Sequence, residues 1–265
     1  MGAPVAAALA ERWAVVTYDP QHAPGDPVSI ASGADVLVTV LPGAAEAREL
    51  APVLAALAPG SLWLDLTSGD PRLYAEIAGT RAIDVVGAPM AGGPSAAQQR
   101  LLRFHVGGSS AAVERARPLL ELLGTVEVIG PDPGDGQTAK LLANLLWFGQ
   151  VVAVTEALLL GQSLGLDVRA LSTTLARGAG GSVFIDEYLD SLLDGDYLET
   201  FGLDRVVEEL DTPASLARQE GVPFELSELV ARLHREALER FGAVDGELLA
   251  AKLLEERAGR TLREG

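Results

Sequence analysis

Lys140 and Asn144 stand four residues apart in "GDGQTAKLLANLL" (134–146), a spacing that puts two side chains on one face of a helix and lets them converge on one small molecule. A lysine so placed can hold or release a proton, because burial tunes an ammonium and leaves a guanidinium charged. The chain has 18 arginines and two lysines, and one of the two falls here. Without further context Lys140 also reads as a solvated lysine at a helix start, and Asn144 as a polar residue satisfied at a helix interface.

A second constellation lies in "MGAPVAAALAERWAVVTYDP" (1–20). In a dinucleotide-binding unit a strand leads through G-x-G-x-x-G into a helix whose N-terminus faces the pyrophosphate. Met1-Gly2 match the last two positions of that motif, Ala3–Glu11 the helix, and Trp13–Tyr18 the next strand. Asp19 then ends that strand, 17 residues after Gly2. An acid at that distance accepts hydrogen bonds from the adenosine ribose and repels a 2′-phosphate, so Asp19 favours NAD over NADP. The match is partial, and Asp19 taken alone also reads as an ordinary turn residue.

The elements that must position these residues alternate through the first half of the chain. Residues 13–18, 35–41, 61–65, 82–86, 103–106 and 125–129 read as buried strands, and 44–57, 71–78 and 111–123 as helices between them. That alternation predicts an α/β fold, a Rossmann-like doubly wound parallel sheet that lacks its first strand. Three glycines and two prolines in 130–136 read as a loop. Beyond it the strand signal stops and helices are expected over 137–164, 168–176, 184–193, 203–219, 225–241 and 248–257. The expected domains are therefore a dinucleotide-binding domain over 1–135 and an all-helical substrate and oligomerisation domain over 136–265.

Composition narrows the function. A net charge of −17 disfavours nucleic acid and anionic membrane as partners. With no cysteine there is no disulfide framework or thiolate site, and His22, His105 and His234 are too widely spaced to suggest a metal site. "LLANLLWFGQVVAVTEALLLG" (141–161) is long enough to cross a bilayer. However, Asn144, Gln150, Glu156 and Gln162 recur along it, which fits a buried helix or subunit interface better. Ala6 fails the myristoylation pattern that Met1-Gly2 suggests, and no basic segment precedes an apolar one, so the expected compartment is the cytoplasm.

Read together, several stretches resemble the β-hydroxyacid dehydrogenase family, which includes 3-hydroxyisobutyrate dehydrogenase and tartronate semialdehyde reductase. "MGAPVA" matches the end of the family's fingerprint, "DVLVTVLPG" (35–43) its strand and Leu-Pro turn, and "LWLDLTSGDP" (62–71) its strand followed by Ser-Thr and Pro. "GAPMAGGPSAA" (87–97) resembles the substrate loop and "GDGQTAKLLANLL" the catalytic helix. The resemblance implies reversible hydride transfer between NAD or NADP and a short 3-hydroxy acid or its semialdehyde. Lys140 would relay the hydroxyl proton and Asn144 orient substrate or lysine. Backbone N–H groups around Gly92 and Gly93, otherwise a plain turn, would bind the substrate carboxylate. Gly2, Ala3, Asp19, Leu41, Pro42, Thr67 and Ser68 would hold the cofactor. A homodimer or homotetramer is implied as well.

Three features depart from the family. Ala91 stands where its substrate loop has serine, deleting a hydroxyl that would bind the carboxylate. Glu208 stands at the cofactor-side lysine if Phe201 aligns with the family phenylalanine, and Glu209 replaces the neighbouring aspartate. The first strand and glycines of the fingerprint are missing, which leaves strands two and four of the usual order without their shared partner. The expectation is a start roughly ten residues upstream, a strand and its first glycines, or failing that a degenerate relative that tolerates the gap. The rival functions are a non-catalytic relative that binds a small acid or a protein partner, and an imine reductase, in which Asp or Tyr commonly stands in place of Lys140. Arg100, Arg103 and Phe104 lie near the substrate loop in sequence, but spacing alone does not orient them.

Overall fold

The computed structural model describes residues 1–78 and 82–264. The chain forms two compact units, Met1–Leu141 and Leu142–Gly265.

In the first unit helices α1 (Gly2–Leu9) and α2 (Pro27–Ser32) precede strand β1 (Val36–Thr39), and α3 (Ala44–Arg48) and α4 (Ala51–Ala56) lead to β2 (Leu62–Asp65). Next come α5 (Pro71–Ala78), β3 (Asp84–Gly87), the short β4 (Met90–Ala91) and α6 (Gly93–Gln99). Then β5 (Leu102–Gly107), α7 (Ser110–Leu123) and β6 (Gly124–Gly130) close the sheet. β1, β2 and β3 are parallel neighbours, as are β5 and β6. β5 runs antiparallel to β3, which it meets at Gly87↔Gly107, and to β4. The sheet is thus mixed, with two antiparallel joints that the alternation of strands and helices does not encode.

Successive strand residues face opposite sides, and at the centre of the sheet both sides are covered, whereas the edge strand β6, expected to be buried, leaves Val128 and Ile129 exposed. Leu62 and Leu64 pack with Val5 and Leu9 of α1 and with α7. Trp63 and Val85 pack with residues of α2, α3, α4 and α5, including Ala31, Leu54 and Tyr74. All four residues of β2 are buried, as expected for a central parallel strand.

Three sequence expectations need correction. Trp13–Tyr18 forms no strand; Val16 and Tyr18 are 71% and 43% exposed. Among the described residues no strand lies beside β1 to receive this segment, and backbone without a ladder partner is better left in water. The helix expected over 44–57 breaks at Glu49-Leu50, because Pro52 has no N–H to give the carbonyl four residues back. Residues 130–136 are only partly a loop, since helix α8 (Pro133–Ser163) already begins at Pro133, a residue whose missing N–H costs nothing at a helix start.

That helix packs tightly onto the sheet. A Cβ added to Gly107 would sit 2.2 Å from the Asp132 carbonyl oxygen, and one added to Gly87 2.2 Å from that of Pro133.

The second unit is helical: the remainder of α8, then α9 (Val168–Ala176), a π-helical turn (Phe184–Tyr188) leading into α10 (Leu189–Asp194), α11 (Leu203–Glu220), α12 (Glu225–Phe241) and α13 (Leu249–Ala258). Its core gathers Phe148, Val151 and Leu158 of α8 with Phe184, Leu210, Val230 and Leu249 from the helices that follow. By length and composition α8 could cross a bilayer, yet 39% of its most apolar stretch is buried within the protein. Its outward side carries Leu142, Leu146 and Leu160 beside the exposed Glu156.

Candidate active site

The first unit brings most of the sequence-predicted site residues to identifiable places. α1 begins against the end of β1, where a Cβ on Gly2 would meet Val40 Cβ at 3.8 Å. Gly2 and Ala3 therefore present the first turn of a helix near the C-terminal ends of parallel strands, where α/β sheets receive ligands. Just beyond β1 and β2 the Leu41 N–H donates to Thr67 Oγ1 at 3.0 Å, tying the two expected cofactor loops together. Pro42 is exposed and Ser68 half-buried beside them.

A buried polar network underlies these loops, and sequence reasoning missed it. Asp65, fully buried at the end of β2, accepts from Thr39 Oγ1 at 2.7 Å and from the Thr67 N–H at 3.0 Å. The Tyr74 hydroxyl also donates to it. Trp63 Nε1 donates to Thr39 Oγ1 at 2.9 Å. Gln137 Nε2, in the first turns of α8, donates to the Tyr74 hydroxyl at 2.9 Å and to the Thr67 carbonyl at 2.8 Å. Its Oε1 accepts the Gly69 N–H at 2.8 Å. Burial raises the Asp65 pKa against the pull of these donors. Burial, then the Asp65 charge, pushes the Tyr74 hydroxyl well above its ordinary value. The network locks the ends of β1 and β2 to the start of the helix that carries Lys140. An acid closing an apolar strand was the one available signal.

Asp19 lies elsewhere than expected. It sits in an exposed turn and accepts from the Gln21 N–H at 2.8 Å and the His22 N–H at 3.0 Å. Those bonds, the one from Gln21 foremost, lower its pKa. With no strand at 13–18 to present it, its carboxylate caps a local turn.

The substrate-loop residues follow β4. Ala91 ends that strand, and Gly92 and Gly93 have φ of 121° and 67°, in the region that favours glycine. A Cβ on Gly92 would also meet Ala96 Cβ at 2.6 Å. Gly93 opens α6, so the pair is a strand-to-helix junction rather than a plain turn. Lys140 is half-buried on α8.

In the second unit Asn144, one helical turn beyond Lys140, donates through Nδ2 to the Glu209 carboxylate. Glu209 is 8% exposed, so the asparagine is held by a buried acid. Glu208, the position aligned with a cofactor-side lysine, instead pairs with Arg205 at 3.1 Å.

Comparison with known proteins accounts for nearly the whole chain. Residues 1–130 match the NAD binding domain of 6-phosphogluconate dehydrogenase, and residues 134–254 match the NAD-binding of NADP-dependent 3-hydroxyisobutyrate dehydrogenase. The chain is 35% identical over 164 residues to the NAD-dependent L-serine dehydrogenase of Pseudomonas aeruginosa, covering 59% of this chain and 55% of that one. It is 29% identical over 225 residues to the mitochondrial 3-hydroxyisobutyrate dehydrogenase of Homo sapiens, covering 79% of this chain and 66% of that one. It thus spans between half and two thirds of the length of these curated relatives. Among solved structures, the Mycobacterium tuberculosis 3-hydroxyisobutyrate dehydrogenase with L-serine superimposes with a TM-score of 0.85 at 25% identity, covering 96% of this chain and 95% of that one.

Proposed function

The chain belongs to the β-hydroxyacid dehydrogenase family, and on that premise we propose that it transfers a hydride reversibly between a nicotinamide cofactor and the carbinol carbon of a short 3-hydroxy acid. The observation that carries this reading is the anchoring of Lys140's helix, through Gln137, to the Thr67 and Gly69 backbone at the end of β2. One turn of helix separates that anchor from the lysine.

The residues present fit a dinucleotide. The α1 N-terminus offers backbone N–H groups and a partial positive charge, and Gly2 leaves room for close approach. Gly2, Ala3, Leu41, Pro42, Thr67 and Ser68 would hold the cofactor, NAD or NADP. The bound nicotinamide supplies the hydride acceptor for oxidation and the donor for reduction. In the oxidation direction the Lys140 amine takes the hydroxyl proton as the carbinol carbon loses its hydride; in reduction the ammonium returns it. Asn144, held by Glu209, orients the substrate or the lysine. Gly92 and Gly93 place backbone donors at the substrate carboxylate.

Replacing Lys140 by Ala is expected to lower kcat about 10²–10⁴-fold, the usual contribution of a positioned acid–base group, while the NADH dissociation constant stays within about twofold of wild type. Near-normal turnover would remove Lys140 from this role. A non-catalytic relative is the second reading, favoured by Ala91 and by Glu208; it predicts ligand binding without turnover. Lys140 weighs against an imine reductase. The exposed leucines of α8 support a homodimer or homotetramer, and the cytoplasm is the compartment that goes with this reading.

A further inference from the structure

Ala91 lacks the hydroxyl that would bind a substrate carboxylate, and the sheet places a substitute opposite it. In the antiparallel β4–β5 pair Ala91 stands directly across from Arg103. Such partners project from the same face with Cβ atoms about 5 Å apart. Phe104, the next residue, faces the other way and is fully buried. Arg103 is exposed and enters no ion pair among the described residues. Arg100, by contrast, is tied to Glu11, just beyond α1.

The face shared by Ala91 and Arg103 leads to Lys140. The next residue of β5 on that face is His105, half-buried, with Nδ1 3.6 Å from the Glu127 carboxylate. Helix α8 begins against the same stretch: a Cβ on Gly136 would lie 2.2 Å from the His105 carbonyl oxygen, and Lys140 follows one turn later. The His105 pKa is lowered by burial first and then by the Lys140 charge; Glu127 opposes this and Arg103 adds to it. Both cations therefore act on one imidazole.

We infer that Arg103 is a substrate-binding, specificity-determining residue whose guanidinium holds the substrate carboxylate in place of the hydroxyl missing at Ala91. This rests on the hydroxy-acid reading above. A guanidinium presents paired N–H donors that match a carboxylate. It therefore demands an acid where a serine hydroxyl would also accept a neutral oxygen. The substrate class is accordingly a free carboxylic acid rather than an ester, an unsubstituted alcohol or an imine.

The test measures binding of 3-hydroxypropanoate and of its methyl ester to the full chain saturated with NADH, by calorimetry. Arg103→Ala should weaken binding of the acid at least about tenfold, leave NADH affinity unchanged and barely affect the ester. Arg103→Lys should recover part of the loss, and adding Ala91→Ser to Arg103→Ala should recover part by the other route. Equal affinity of Arg103→Ala and wild type for the acid would overturn the assignment. So would equal losses for acid and ester, or a wild-type protein that does not bind the acid. Turnover is read separately: a wild-type protein that binds the acid through Arg103 without oxidising it would defeat the dehydrogenase reading and leave Arg103 in place.

Discussion

Lys140 and His234 illustrate how differently two titratable side chains can be used. Lys140 sits on a helix face with Asn144 four residues on, and its candidacy is legible from spacing and residue type. His234 is fully buried, 5.3 Å in ring-centre distance from Phe148, with Nδ1 2.9 Å from the Val230 carbonyl oxygen. Burial pushes its pKa down to about 4 against the pull of the Val230 carbonyl. In the unfolded chain the imidazole takes up its proton as pH falls through the ordinary value of about 6.5, so between that pH and about 4 the unfolded state holds more protons. Stability from this residue is therefore complete above about pH 6.5 and is lost as the pH falls toward 4. Denaturant unfolding at pH 7 and pH 5 should show about 2 kcal/mol of loss attributable to it. His234→Leu should flatten that difference, and an unchanged pH dependence in the variant would remove His234 from the account. Other residues are not legible in this way. Asp65, Tyr74 and Gln137 form one network from three distant stretches, and no spacing rule connects them.

At the scale of elements, strands read as apolar runs bounded by turns, which is why β1, β2, β3, β5 and β6 fall close to their expected positions, although β6 is largely exposed where a buried strand is expected. Trp13–Tyr18 has the same composition and forms no strand, because strand formation depends on a neighbour that composition does not report. The antiparallel joints of β4 and β3 with β5 are hidden for a similar reason, since two residues of β4 leave almost no pattern. Helix α8 is readable as an apolar segment, but its sidedness is not. Leu146 and Leu160 are 66% and 62% exposed on it, a costly arrangement unless another surface covers them. Sedimentation velocity should find the 27.6 kDa chain as a dimer or tetramer, and Leu146→Glu with Leu160→Glu should shift it to monomer with its helical circular dichroism retained. A wild-type monomer, or an oligomer that the double variant leaves intact, would show that α8 does not form the interface.

Across the whole molecule, acidic composition makes positive charge scarce, and where it is placed becomes informative. Arginines of the helical unit engage in surface pairs such as Arg240–Glu256 and Arg257–Glu236, each worth little on its own. In the sheet-containing unit Arg103 stands opposite Ala91 on β5, the strand against which the first turns of Lys140's helix pack. The family resemblance captures the order of elements and the loop and helix motifs. It does not capture the guanidinium opposite Ala91 or the turn that engages Asp19, because both follow from strand pairing and local hydrogen bonds that motifs do not report. The most direct measurement is absorbance at the reduced-nicotinamide band when the purified chain is mixed with NAD or NADP and 3-hydroxyisobutyrate, 3-hydroxypropanoate or L-serine. The account predicts reduction of one or the other cofactor by at least one of these acids, with kcat in the range of about 1–10³ s⁻¹. A folded protein that reduces neither cofactor with any of them would contradict it.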